Sequence, residues 1–162
     1  MSAKKLDLAS ITLDAAFCEG VRDIFETKIV FNQTLGLKID QLTPMHAQGH
    51  IVMKPELVGH FAYNRVHGGV ISASLDAMGG LACMCAMGAQ HHAEPVMERL
   101  KRFTKLGTID LRVDYLRPAI GERFILKAEV LRLGSRVAST RMEFVAVDGT
   151  ILSTGSAAYI VS

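Results

Sequence analysis

The chain has little of what marks secreted, nucleic-acid-binding or multidomain proteins. It carries three cysteines, Cys18, Cys83 and Cys85. An odd count, with two members only two positions apart, makes no disulfide framework, so a reducing compartment is expected. The opening residues, MSAKKLDLAS, lack the apolar run and small-residue cleavage site of a secretory signal. A cytoplasmic location is the corresponding expectation. The net charge is only +2 and the basic residues are scattered, which leaves no stripe to follow a phosphate backbone and no nucleic-acid partner. Linkers, repeats and low-complexity tracts are absent too, so one domain over 1–162 is expected, with 1–14 a flexible tail. Finally, no G-x-S-x-G elbow occurs, which speaks against a serine hydrolase.

What the chain does have is apolar surface. Hydrophobic residues make up 49% and charged residues 21% of 162 positions, an ordinary soluble composition at a size that buries about two-thirds of the unfolded surface. The densest run is 69–90, GVISASLDAMGGLACMCAMGAQ. As a membrane span it is a poor one. Asp76 sits at its middle, where a charge costs about 2.5–3.5 kcal/mol of insertion energy. Gly79 and Gly80 weaken it further. A helix buried inside the protein is expected instead, about 33 Å long, with no membrane partner.

Around that helix the period changes. Phe17, Val21, Ile24, Phe25 and Ile29 fall on one helical stripe that Gly36 should stop. Short strands are expected near 37–43 and 47–54, parted by Pro44. Residues 108–117 alternate, with Ile109, Leu111, Val113 and Tyr115 on one face. The runs 122–133, 136–147 and 150–161 repeat that period. Gly134-Ser135 reads as a hairpin turn with its glycine at positive φ, and Asp148-Gly149 as a type I′ turn with both central residues there. These elements predict an α+β fold: a four-strand antiparallel meander whose sheet wraps one long central helix.

The stretch that can carry chemistry is 59–80, GHFAYNRVHGGVISASLDAMGG. Gly68-Gly69 fall where a loop enters the helix, so unpaired backbone N–H groups and the positive end of the helix dipole meet there. Such a place suits a developing oxyanion, and glycine lets a ligand reach the backbone. His67 precedes it. Asp76, two turns on, is a carboxylate in an apolar helix, which is costly without a partner or a purpose.

His67-Gly68-Gly69 followed by Asp76 resembles the motif of the PaaI-like hotdog thioesterases, and GTIDLRVDYLRP (107–118) resembles a strand of that family. The likeness runs from about residue 20 to the end. Within the family the chain looks like the YigI-type medium- and long-chain acyl-CoA thioesterases, which share that strand and GERF. The resemblance implies a hotdog fold and hydrolysis of an acyl-CoA to free acid and CoA, with neither cofactor nor metal. It implies Asp76 as general base or nucleophile, and His67, Gly68 and Gly69 as the loop and helix start that polarise the thioester carbonyl. Thr108 would orient water or the carboxylate, and Arg136 would lie near the CoA phosphates. Loop and carboxylate would come from different protomers, so the site would need a homodimer, commonly paired into a homotetramer. Many members carry an Asn where this chain has Phe61, and His60 or Asn64 are the polar candidates to replace it.

Two other readings share the fold. One is a non-catalytic acyl-CoA-binding or sensing protein. The other is a hydratase or dehydratase, whose motif His is matched by Gly59-His60-Phe61 but whose catalytic Glu would fall on Ser74. His91, His92, Cys83 and Cys85 fit no familiar zinc spacing, and both cysteines read as buried small hydrophobes. The only basic run, 94–106, holds Arg99, Lys101, Arg102 and Lys105, with Val96, Leu100 and Phe103 on one face. A solvated cover over the sheet edge is expected of it, the alternative being a flap that attracts CoA.

Overall fold

The structure, a computed structural model, describes residues 7–162. Of the expected tail, residues 1–6 lie outside the described part. Leu8–Ser10 form one 3₁₀ turn, and Asp14 caps helix α1 (Ala15–Arg22) by accepting the Phe17 N–H at 2.9 Å. The helical stripe holds through Phe25, but the helix widens into a π-turn at Asp23–Lys28 and breaks at Ile29. Helix α2 (Val30–Leu35) then ends on Gly36, whose φ of 72° is the left-handed cap that glycine adopts freely.

Strands β1 (Lys38–Leu42) and β2 (His46–Val52) follow, then the short pair β3 (Val58–His60) and β4 (Arg65–Val66). The long helix α3 runs Gly68–Gln90, and α4 (Val96–Lys101) leads through a 3₁₀ turn into β5 (Gly107–Tyr115). Strands β6 (Arg123–Leu133), β7 (Val137–Ala146) and β8 (Ile151–Ile160) complete an antiparallel six-stranded sheet of order β1-β2-β6-β7-β8-β5. Helix α3 packs on β2, β5, β6, β7 and β8. By length and composition it could cross a membrane, yet every residue from Met78 to Ala89 is buried. Phe124, Leu126, Ala128 and Val130 of β6 meet it with Ala138, Met142 and Phe144 of β7. Each large apolar side chain so buried contributes about 1.5–3 kcal/mol.

Three expectations are corrected. The strands β6-β7-β8 form a meander, but β5 pairs with β8 and stands at the sheet's edge. The reason lies at 116–122, which is no hairpin turn: Ala119 is buried there and accepts the Val66 N–H, while β2 occupies the free side of β6. Second, a bulge between Thr108 and Asp110 breaks the alternation of β5, so Ile109 is 56% exposed instead of sharing the inner face with Leu111. Third, neither hairpin has the expected turn. Gly134 has no positive φ; its lack of a side chain serves a close approach, since a Cβ would stand 2.8 Å from the Val137 carbonyl oxygen. At the other turn only Gly149 has positive φ (91°), and Asp148 acts through its side chain, accepting the Thr150 N–H at 2.9 Å. That bond holds the Asp148 carboxyl below the usual carboxylate range.

Candidate active site

Asp76 leaves α3 two turns from its start, half-buried, with its carboxylate held from one side. The Thr108 hydroxyl donates to Oδ1 at 2.9 Å, and the β5 bulge stands beside Thr108. The Tyr159 hydroxyl lies 3.1 Å from the same Oδ1 and 2.9 Å from the Asp76 carbonyl oxygen. Its single proton serves either acceptor. Burial first, then the nearby Asp76 charge, push the Tyr159 hydroxyl far above its ordinary range, so it remains a donor. With Thr108 donating to Oδ1 and the Tyr159 proton shared between Oδ1 and the carbonyl, Oδ2 has no partner among the described residues. A carboxylate with one oxygen tied and one open is oriented without being neutralised, which is what a base or nucleophile requires.

The carboxylate lines a cleft of about 260 Å³ whose other walls are mostly apolar, among them Phe25, Phe31, Ala73, Phe103 and Leu106. Phe103 meets Phe25 edge-on at 5.7 Å. The small residues of α3 divide there. Ala73 and Gly80 line the cleft, but Gly79 leaves no free room. A Cβ on it would stand 2.3 Å from the Tyr159 oxygen, so that notch is where Tyr159 reaches the helix.

His67 and Gly68 line a second cleft, of about 430 Å³, together with Arg65, Tyr115 and Arg117. His67 is the N-cap of α3 and its Nδ1 accepts the Gly69 N–H at 2.9 Å. That leaves Nε2 to carry the proton of a neutral ring. The N–H groups of Val70 and Ile71 bond the His67 carbonyl. Gly68 therefore offers the one N–H of this first turn that has no partner among the described residues, while its carbonyl accepts from the Tyr115 hydroxyl at 2.9 Å. The bare backbone at Gly59 lets His67 pack closely, because a Cβ there would stand 2.5 Å from the His67 Cα.

Within one chain the expected site residues thus fall in two places: Asp76 with Thr108, and His67 with Gly68. Gly69 lines neither cleft, its N–H being taken by His67. Nor do the remaining candidates. His60 lies against Tyr63 with ring centroids 4.9 Å apart and has a buried, unpartnered Nδ1. Asn64 takes a left-handed turn with φ 47°. Arg136 is exposed at the β6–β7 turn. Ser74 is buried with its hydroxyl unpartnered, outside either cleft.

The basic run is corrected in one respect. Arg99 is not solvated but 2% exposed: it pairs with Asp14, donates Nε–H to the Gly88 carbonyl at 3.0 Å and lies 4.3 Å over the Phe17 ring. Its hydrogen bond holds the Asp14 carboxyl below the usual range. Arg102 pairs with Glu94 and Lys101 with Glu98. The two α3 cysteines are buried, which pushes the Cys83 thiol up to about 12 and the Cys85 thiol higher still. His91 pairs with Glu94, and no group of three or more metal-ligating side chains occurs among the described residues.

Tyr159 and the arginines Arg65 and Arg117 were outside the sequence reading. For Tyr159 a signal existed, since a glycine three residues after an Asp in an apolar helix asks what occupies the space. For the arginines there was none, because nothing local ties Arg65 to Arg117.

A model of the thioesterase superfamily matches residues 63–153. The chain is 37% identical over 141 residues to the medium/long-chain acyl-CoA thioesterase YigI of Salmonella typhimurium, covering 87% of this chain and 91% of that one. The Escherichia coli protein of the same name is 36% identical over the same extents. A crystal structure from Shewanella oneidensis, described as related to the thioesterase superfamily, superimposes with a TM-score of 0.84 at 35% identity, covering 93% of this chain and all (100%) of that one. With a sheet wrapped around α3 and a sequence likeness over most of its length, this chain belongs to the thioesterase superfamily and has its hotdog fold.

Proposed function

We propose that the protein hydrolyses the thioester of a medium- to long-chain acyl-CoA, releasing the free acid and CoA. The observation that carries the reading is Asp76: a carboxylate in an apolar cleft, tied through Oδ1 to Thr108 and Tyr159 and open at Oδ2. Oδ2 accepts a proton from water as the oxygen attacks the thioester carbonyl carbon. The resulting oxyanion is met by the Gly68 N–H at the positive end of α3. The C–S bond then breaks and the proton held by Asp76 passes to the leaving thiolate. Attack by Oδ2 itself, through an anhydride that water opens, is the other route the same geometry serves. A thioester is activated enough that a carboxylate and backbone donors suffice, so the scheme calls for no metal or cofactor. The names of the relatives support the substrate class.

The separation of the two clefts supports a homodimer in which His67 and Gly68 of one protomer face Asp76 of the other. Strand β5 supplies an edge for pairing, with one side on β8 and the other open. Pairing of two such dimers into a tetramer, and a place in the cytoplasm where the three free thiols stay reduced, complete the proposal. A hydratase reading finds no support, since Ser74 is buried and supplies no acid or base. The test is thiol release from acyl-CoAs of graded length by the wild type and by Asp76→Ala. Turnover that disappears in the variant is expected. Wild-type rates from Asp76→Ala would sink the mechanism, and binding without release by the wild type would leave a binding protein.

A further inference from the structure

The two clefts differ in charge. The one at Asp76 is nearly apolar, whereas the one at His67 is lined by two arginines, Arg65 and Arg117, and by no acidic residue. Several arginines in this chain are matched: Arg99 with Asp14, Arg102 with Glu94, Arg112 with Asp114 and Arg141 with Glu129. The Arg65 side chain makes no ion pair or hydrogen bond among the described residues, although the residue is half-buried and its backbone pairs with β3. Arg117 makes no ion pair either; its Nη1 donates only to the Ile151 carbonyl, at 2.9 Å. They come from different places, Arg65 from β4 and Arg117 from the loop after β5, and converge on the start of α3. An uncompensated pair of cations beside a helix N-terminus raises the local potential well above that of a chain whose net charge is +2. Guanidinium forks suit phosphate oxygens, which they can hold through two bonds at once.

We infer that Arg65 and Arg117 hold the phosphates of CoA, so that the cleft at His67 receives the polyanionic head of the substrate while the apolar cleft at Asp76 of the facing protomer receives its acyl chain. The inference rests on the acyl-CoA reading above. A molecule with an anionic end, an apolar end and a thioester between them matches two clefts of opposite character that meet at the reacting groups. Tyr115 and Gly68 line the same cleft, so the pantetheine arm would pass over the Gly68 N–H on its way to the carboxylate.

The test compares an acyl-CoA with the matching acyl-pantetheine, which carries the same thioester but no phosphate. Arg65→Gln, Arg117→Gln and the double variant are assayed on both, with melting temperature as the check on folding. The double variant should raise KM for acyl-CoA about tenfold or more, the effect of losing charge-assisted bonds, while kcat stays within about twofold. Its parameters on acyl-pantetheine should equal those of the wild type. An unchanged KM for acyl-CoA would overturn the site, as would equal losses on both esters, which would make the arginines structural. Arg65→Gln alone carries the test if Arg117→Gln fails to fold, because Arg65 has no protein partner to lose. If the wild type hydrolyses neither ester, the hydrolase reading fails by itself. Calorimetry with free CoA then decides the site: binding lost in the double variant supports it, and no binding to the wild type overturns it.

Discussion

The two halves of helix α3 are made of similar residues and do opposite things. From Gly68 to Ala77 the helix is only intermittently buried, and it carries the open N–H of Gly68 and the carboxylate of Asp76. From Met78 to Ala89 nothing is exposed. The first half borders both clefts, while the second reaches the Asp76 cleft only at Gly80 and otherwise packs against the sheet, so loss of activity and loss of stability should largely separate along one helix. Asp76→Ala marks one extreme. It should lower turnover by about 10²–10⁴-fold, the range for a positioned acid–base group, with little change in melting temperature, since an unfavourable half-buried charge is removed along with its bonds. Leu81→Ala marks the other. Leu81 is fully buried, and the cavity should cost about 2–5 kcal/mol in denaturant unfolding while the surviving folded protein keeps its kcat. A Leu81 variant that is stable but inactive would break the division.

Tyr159 sits on the boundary, and its removal sharpens the comparison. Tyr159→Phe keeps the ring in the Gly79 notch and deletes only the hydroxyl that reaches Asp76. A hydrogen bond to a charged group is worth about 1.5–3 kcal/mol, so kcat should fall about tenfold or somewhat more, with KM unchanged. A purely structural tyrosine would lower the melting temperature and leave kcat alone. The double variant with Thr108→Val should lose more than the two single effects multiplied, because both hydroxyls act on Oδ1 and each partly covers for the other.

Much of this was legible in the sequence, and the rest shows where local pattern stops. A period of two reports which face of a strand is buried, and it identified β6, β7 and β8, while α3 stood out as an unbroken apolar run. Neither signal reports which neighbour a strand takes. The edge position of β5 depends on β2 occupying β6, a pairing between residues 71 to 83 positions apart such as Ala47 with Ala128, which no alternation encodes. The bulge at Ile109 is invisible for a related reason, since a bulge is a relation between two strands. Asp76 stood out because a carboxylate in an apolar run is expensive. Arg65 and Arg117 did not stand out, because a cation in a short strand or a loop becomes notable only once its surroundings prove to hold no anion.

The smallest predicted effect is the one that tests the boundary most finely. Gly79 and Gly80 are neighbours in the same helix, and replacing glycine by alanine in a helix interior should stabilise by about 1 kcal/mol where the methyl fits. At Gly80 it fits: the nearest side-chain atoms, on Leu106, Tyr159 and Phe25, would lie 3.6–4.0 Å from the new carbon. Gly80→Ala should therefore raise the melting temperature by a few degrees. Because Gly80 also lines the Asp76 cleft, the methyl should narrow the acyl site and shift the ratio of kcat/KM values toward shorter chains. At Gly79 the methyl would meet the Tyr159 oxygen at 2.3 Å and drive the hydroxyl off Asp76. Gly79→Ala should consequently lose both stability and turnover, resembling Tyr159→Phe in kcat but not in melting temperature. One rotation step along α3 thus reverses the sign of the same substitution, and equal responses at the two positions would mean that the helix does not divide there.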